Sequence, residues 1–107
     1  MKRKEELPEC PIATTVSLIG SKWKLLIIRK LSKRPYRFNE LQNSLDGISQ
    51  KVLTTSLRDL ADDGIVYRHD YSTNPPHVEY GMTDLGKELL DVLKSMEKFG
   101  YYYKERL

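Results

Sequence analysis

At Gly64 the apolar period of this 107-residue chain changes from 3.6 residues to 2. The segment before it, SQKVLTTSLRDLADD, puts Leu53, Leu57, Leu60 and Ala61 on one side of a helix that Ser49 caps and Gly64 stops. A shorter helix, FNELQNSL, carries Phe38, Leu41 and Leu45 at i, i+3 and i+7, and the Asp46-Gly47 turn joins the two. After Gly64, residues 65–71 (IVYRHDY) and 77–82 (HVEYGM) alternate as strands, with Val78, Tyr80 and Met82 on one face. Ser72-Thr73-Asn74-Pro75-Pro76 between them is too polar and proline-rich to continue either strand. Two short helices joined by a turn and followed at once by a hairpin make a winged helix-turn-helix.

The flanks supply helices. Residues 1–9 are polar and read as a flexible tail. Pro11 then opens a short helix bearing Ile12, Val16 and Ile19, closed at Gly20. Ser21 caps KWKLLIIRKLSK, whose Trp23, Leu26, Ile27 and Leu31 form one buried stripe, with Pro35 as the stop. Thr83 caps a long C-terminal helix over 84–106, with Asp84 and Glu88 in its favourable first turn. In it Leu85, Leu89, Val92, Met96, Phe99 and Tyr103 recur every three or four residues, and Leu90 and Leu93 widen the stripe into a second face. One apolar face is enough for a helix packed on a small core, so the second implies contact with another subunit. A dimer would also enlarge a core that a chain of this length leaves modest. The expected fold class is α+β, mainly α: one winged helix-turn-helix domain over 1–107, with N- and C-terminal dimerisation helices.

Several functions are disfavoured. The longest aliphatic run, LLII at 25–28, is far short of the ~20 apolar residues of a membrane span, and the charged MKRKEE start reads as no signal peptide. A cytoplasmic protein with no membrane partner is expected. One cysteine builds neither an internal disulfide nor a multi-Cys zinc site. His69 and His77 flank the hairpin loop as candidate cross-strand neighbours, but with Glu79 they match no metal-ligand spacing. No metal and no cofactor are expected.

Charge points to a partner. Residues 1–58 carry 12 Lys/Arg against 5 Asp/Glu, a net of +7, while residues 59–107 carry 6 against 10, a net of −4. A clustered basic region is the footprint of polyanion binding. The helix after Asp46-Gly47 presents Lys51, Thr54, Thr55 and Arg58 opposite its leucines, with Gln50 and Ser49 at its start. Near the head of a groove-reading helix, Gln suits adenine, Lys suits guanine and Thr suits a thymine methyl or a phosphate. Ser49 can add a phosphate contact to its capping role, and Arg58 grips backbone. Arg37 and Arg34 are further phosphate candidates. Lys22, Lys24, Lys30 and Lys33 are weaker ones, since basic residues on an exposed helix are usually only solvated. Ser72, Thr73 and Asn74 reach a minor groove or its phosphates from the wing, which has no Lys or Arg of its own; Arg68 is the nearest cation.

The blocks CPI, GSKWKLLIIRKL, RFNEL, GISQKVLTTSLRDLADDGIV and PPHVEYGMTDLG, in this order and at ordinary spacing, resemble the HxlR-type winged-helix transcription regulators, from about Cys10 to the final helix. The resemblance implies a homodimeric bacterial DNA-binding regulator, repressor or activator, related to the MarR group. Its interface would be built from the N- and C-terminal helices, here through Ile12, Val16, Leu89, Leu93, Met96, Phe99 and Tyr103. Gly81 departs from the family, which more often has Ser there, and a strand glycine weakens a strand or marks a bulge; a looser exit from the wing is expected. The resemblance also implies a redox- or electrophile-sensing role for Cys10, which heads a helix where the macrodipole favours a thiolate. Glu9 beside it acts against that, and free cysteines are often buried and inert. An oxidant or small-molecule effector is thus a partner without an identity. A winged helix used only for protein interaction would need no basic recognition face, and a thiol enzyme would need an oxyanion loop and an orienting third residue that are not visible.

Overall fold

The structure, a computed structural model, describes residues 2–107. Residues 2–9, expected to be a flexible tail, include a single 3-10 turn at Lys4–Glu6 whose Glu6 and Leu7 amides bond back to Arg3 and Lys4. Helix α1 (Pro11–Ile19) begins with Cys10 as N-cap and ends at Gly20. Helix α2 (Lys22–Leu31) turns away at 81°, started by Ser21, whose hydroxyl oxygen accepts from the Lys24 amide at 3.2 Å.

The stripe of α2 differs from the expected one. Ile27, Ile28 and Leu31 are its buried residues, while Trp23 and Leu26 are half-buried beside them. Ile28 joins because α2 packs against α4 and the sheet at once, which widens the apolar arc a single stripe would need. The helix ends at Leu31, before Pro35 is reached. There Ser32 ties its amide to the Ile28 carbonyl, and its hydroxyl donates to the Arg29 carbonyl at 2.6 Å.

Strand β1 (Tyr36–Arg37) was not expected, because two residues carry no periodicity. It runs directly into α3 (Phe38–Ser44). A turn with Gly47 at φ 86° leads to α4 (Gln50–Asp62), and Gly64 at φ 77° releases the chain into β2; both glycines occupy the left-handed region that L side chains avoid. Leu45 and Ile48 are buried on either side of the Asp46-Gly47 turn, which pins the angle between α3 and α4. Leu53, Leu57 and Leu60 of α4 are at most 2% exposed. Truncating such a core leucine costs about 2–5 kcal/mol, so the orientation of α4 is strongly held.

Strands β2 (Val66–Asp70) and β3 (Val78–Met82) pair antiparallel, and β1 adds to the other edge of β3, in the order β1-β3-β2. The register sets His69 opposite Glu79 rather than His77. His77 instead faces Tyr71, whose amide donates to the His77 carbonyl at 2.9 Å. Gly81 brings no looseness. It stays in the ladder opposite Tyr67, and a Cβ there would overlap the Tyr67 ring, so the glycine makes room for an aromatic.

The expected continuous helix over 84–106 is two helices, α5 (Asp84–Lys87) and α6 (Leu90–Lys104). Thr83 caps α5 through the Gly86 amide at 2.9 Å, while its hydroxyl donates to the Gly64 carbonyl at 2.6 Å. Gly86 thereby lies against the Ile65 carbonyl with no space for a side chain. Pinned there, the chain leaves α5 through i→i+3 bonds from the Glu88 and Leu89 amides before α6 begins. Leu89 and Leu93 pack half-buried on the core, whereas Met96, Phe99 and Tyr103 are exposed and α6 buries no residue fully.

Candidate nucleic-acid interface

Because Leu53, Leu57 and Leu60 lock one side of α4 into the core, the opposite side faces solvent by helical geometry. Gln50, Lys51, Thr54, Thr55 and Arg58 are all exposed there. Ser49 uses an oxygen lone pair to cap α4, accepting from the Val52 amide at 3.1 Å, which leaves its hydroxyl proton for an external acceptor. A rotation of 100° per residue puts Lys51, Thr55, Arg58 and Asp62 along the centre of the face. Asp62, exposed and missed by the sequence reading, is one turn beyond Arg58 and marks where the face stops suiting phosphate. Val52, 37% exposed, was also missed; it gives the head of the helix an apolar contact group.

The other cations separate by what they already touch. Lys24, an expected phosphate candidate, lies 3.5 Å from Asp59 with a side chain only 18% exposed. Arg34 stacks over Tyr36 at 3.7 Å, lies 3.6 Å from Glu40 and donates to the Pro35 carbonyl at 2.9 Å. Lys22 lies over the Trp23 ring at 4.8 Å. Arg37, Lys51 and Arg58 make no ion pair among the described residues, and each is exposed. Arg37 also donates its amide to Glu40 at 2.9 Å. That backbone bond, aided by the Arg34 and Arg37 charges against a smaller desolvation, holds the Glu40 carboxyl below its usual range.

In the wing, Ser72, Thr73 and Asn74 are exposed. Ser72 adopts φ 54°, its amide donating to Asp70 at 2.8 Å. Thr73 spends its only hydroxyl proton on the Pro75 carbonyl at 2.8 Å, so it has none to offer a phosphate. Below the tip, Tyr71 lies between two imidazoles, edge-on to His69 at 4.3 Å and stacked on His77 at 4.4 Å. Its hydroxyl donates to Glu79 at 3.3 Å, and His77 approaches the other Glu79 oxygen at 3.8 Å. Partial desolvation, then the Glu79 charge, raise the Tyr71 phenol above its ordinary value.

Away from this surface, Cys10 is an exposed thiol at the head of α1, and its side chain makes no capping bond. Ile12 is 75% exposed and Val16 58%, so α1 meets the core only near its C-terminal end, through buried Ile19 and partly buried Leu18. Of the seven expected dimer residues, Leu89 and Leu93 already serve their own subunit's core, and the other five remain apolar surface.

The comparisons agree with this architecture. The HxlR-like helix-turn-helix family pattern matches residues 18–107. The HTH-type transcriptional regulator YdeP of Bacillus subtilis (strain 168) is 38% identical over 103 residues, covering 96% of this chain and 80% of that protein. The redox regulator HypR in its reduced form superposes with a TM-score of 0.84 at 36% identity, over 89% of this chain and 94% of its own. A MarR-family transcriptional regulator from Enterococcus faecalis V583 superposes with a TM-score of 0.81 at 36% identity, over 99% of this chain and 93% of its own.

Proposed function

Because this chain belongs to the HxlR-like helix-turn-helix family of transcriptional regulators, a non-enzymatic class, we propose that it acts in the cytoplasm as a homodimer on a pseudo-palindromic operator, its whole length forming one winged-helix unit. The observation that carries this reading is the outward row on α4. Gln50, Lys51, Thr54, Thr55 and Arg58 are solvent-facing on a helix whose other side is fixed in the core. Gln50 and Lys51 read base edges, the flexible Lys51 ammonium also neutralising a neighbouring phosphate; Thr54 and Thr55 meet thymine methyls or phosphates, and Ser49, Arg37 and Arg58 hold backbone. Ser72 and Asn74 meet the minor groove. Two such helices one helical turn apart, about 34–36 Å, read two half-sites.

The exposed Ile12, Val16, Met96, Phe99 and Tyr103 support a second copy as the partner that covers α1 and α6. Cys10 is the sensor in this reading, supported by its exposure and by the likeness to a redox regulator. The chain has one cysteine, so a disulfide made of protein thiols alone joins two subunits. Diamide serves as the oxidant: two thiols form the S–S bond, and their two protons and two electrons pass to its N=N bond, giving the hydrazine.

Selection of bound sequences from random duplex DNA tests the reading, followed by gel shifts on the enriched duplex. The expected result is a two-fold motif bound by two chains, a changed base preference on Gln50→Ala, and a diamide response lost in Cys10→Ser. Failure to enrich any motif overturns the operator reading, and an equal diamide response in both proteins removes Cys10 from the mechanism.

A further inference from the structure

Between Arg68 and Lys87 the chain has no lysine or arginine, yet this stretch forms the hairpin set against DNA in the reading above, and it holds both of the chain's histidines. Antiparallel partners project to the same side of a sheet. The register therefore lines up Arg37, Glu79 and His69 in one row across β1, β3 and β2. Tyr71 and His77 form the next pair toward the tip on that face. Val66 and Met82, which are buried, occupy the opposite face, so this row looks away from the core.

We propose that His69 and His77 are phosphate-contacting residues that work only when protonated, joining Arg37 in a proton-dependent anion-binding patch on the outer face of the sheet. The inference rests on the DNA-binding reading. With both imidazoles neutral, Glu79 offsets Arg37 and the patch has no net charge; with both protonated it carries two positive charges. Histidine is the side chain whose charge ordinarily changes between about pH 5 and 8. Arg37 and Glu79 are the opposite charges that share the row with His69. Tyr71, with its phenol raised, stays neutral and gives Glu79 a hydrogen bond rather than a charge. Arg68 and Asp70 of β2 alternate onto the other face, where Asp70 holds the Ser72 amide. Tyr36, Tyr67 and Tyr80 add no charge. Glu79 lies 3.8 Å from His77 and opposite His69, so its carboxylate belongs to the same row as both rings. A bound phosphate favours the same forms, so binding takes up protons.

The test is fluorescence anisotropy on the selected duplex at about pH 6 and pH 8, across 50–200 mM salt. At a slope of about 0.9 per phosphate, each added contact costs about 3.5-fold in affinity over that fourfold range, and two cost about 12-fold. Wild type is expected to lose up to this much more affinity across the salt range at pH 6 than at pH 8. The double variant His69→Gln/His77→Gln, which changes one exposed and one half-buried side chain, should show one slope at both pH values. Glu79→Gln should bind more tightly than wild type at pH 8. A wild-type slope that ignores pH, or a double variant that keeps the pH response, overturns the inference while leaving the α4 reading intact. Absence of sequence-specific binding at both pH values overturns both.

Discussion

Lys51 and Arg58 should each carry about one phosphate equivalent of salt dependence, whereas Lys24 and Arg34 should carry none. All four are cations in the basic half of the chain, so composition alone treats them alike. The structure separates them: Lys51 and Arg58 are exposed on the free side of α4 without an ionic partner among the described residues, while Lys24 is 3.5 Å from Asp59 and Arg34 is stacked on Tyr36 and 3.6 Å from Glu40. A contact that displaces a counterion contributes about 0.9 to the slope of log K against log salt. Removing both Lys51 and Arg58 should therefore flatten the slope by about 1.8, and the variant should lose about 12-fold less affinity than wild type between 50 and 200 mM salt. Lys24→Ala and Arg34→Ala should leave the slope within error, because a cation already held by a carboxylate releases no new counterion on binding. The Arg34–Glu40 pair is largely exposed and contributes little to stability, and a circular dichroism melt checks that Lys24→Ala, which removes a side chain only 18% exposed, is folded before its slope is read. The assay is anisotropy on the selected duplex at five or more salt concentrations, with the slope as the readout. A slope change for Lys24→Ala equal to that for Lys51→Ala would refute the partition. Among the two α4 residues, only Lys51→Ala should also relax base preference, since it sits nearer the helix head.

Two further predictions concern the scaffold. Gly86→Ala should destabilise by about 1–3 kcal/mol although alanine is the better helix former, because its Cβ would meet the backbone carbonyl of Ile65, which has no rotamer to yield; a urea midpoint equal to or above wild type would show that α5 is not docked this closely. Glu40→Gln should be less stable than wild type near neutrality. Since the folded carboxyl is held below its usual range, its contribution is full above the ordinary carboxylate value and disappears as the pH falls through the lowered one. Urea melts over that acid range check this, and a difference that grows on acidification contradicts it.

What could be read from the residues was whatever depends on short-range order. The α4 row, its Ser49 cap, the Gly47 and Gly64 turns and the hairpin all follow from 3.6- and 2-residue periods and from residues suited to special backbone geometry, and the structure contains each of them. The tertiary structure decided the rest, because it depends on which segments meet. Two residues at 36–37 become a strand only because β3 offers an edge. The helix over 84–106 divides at Glu88–Leu89 because Gly86 is drawn against the Ile65 carbonyl, a contact that no periodicity encodes. Register moved His77 opposite Tyr71 and set His69 beside Glu79, since a pleat assigns faces only once partners are paired. The same holds for charge. Residue types and spacing alone make the first half basic and give α4 a polar side; folding settles which cations are occupied, because Lys24 meets Asp59 only where the core packs α2 on α4, and Arg34 meets Tyr36 and Glu40 only once β1 turns into α3, while Lys51, Arg58 and Arg37 are exposed without an ionic partner among the described residues.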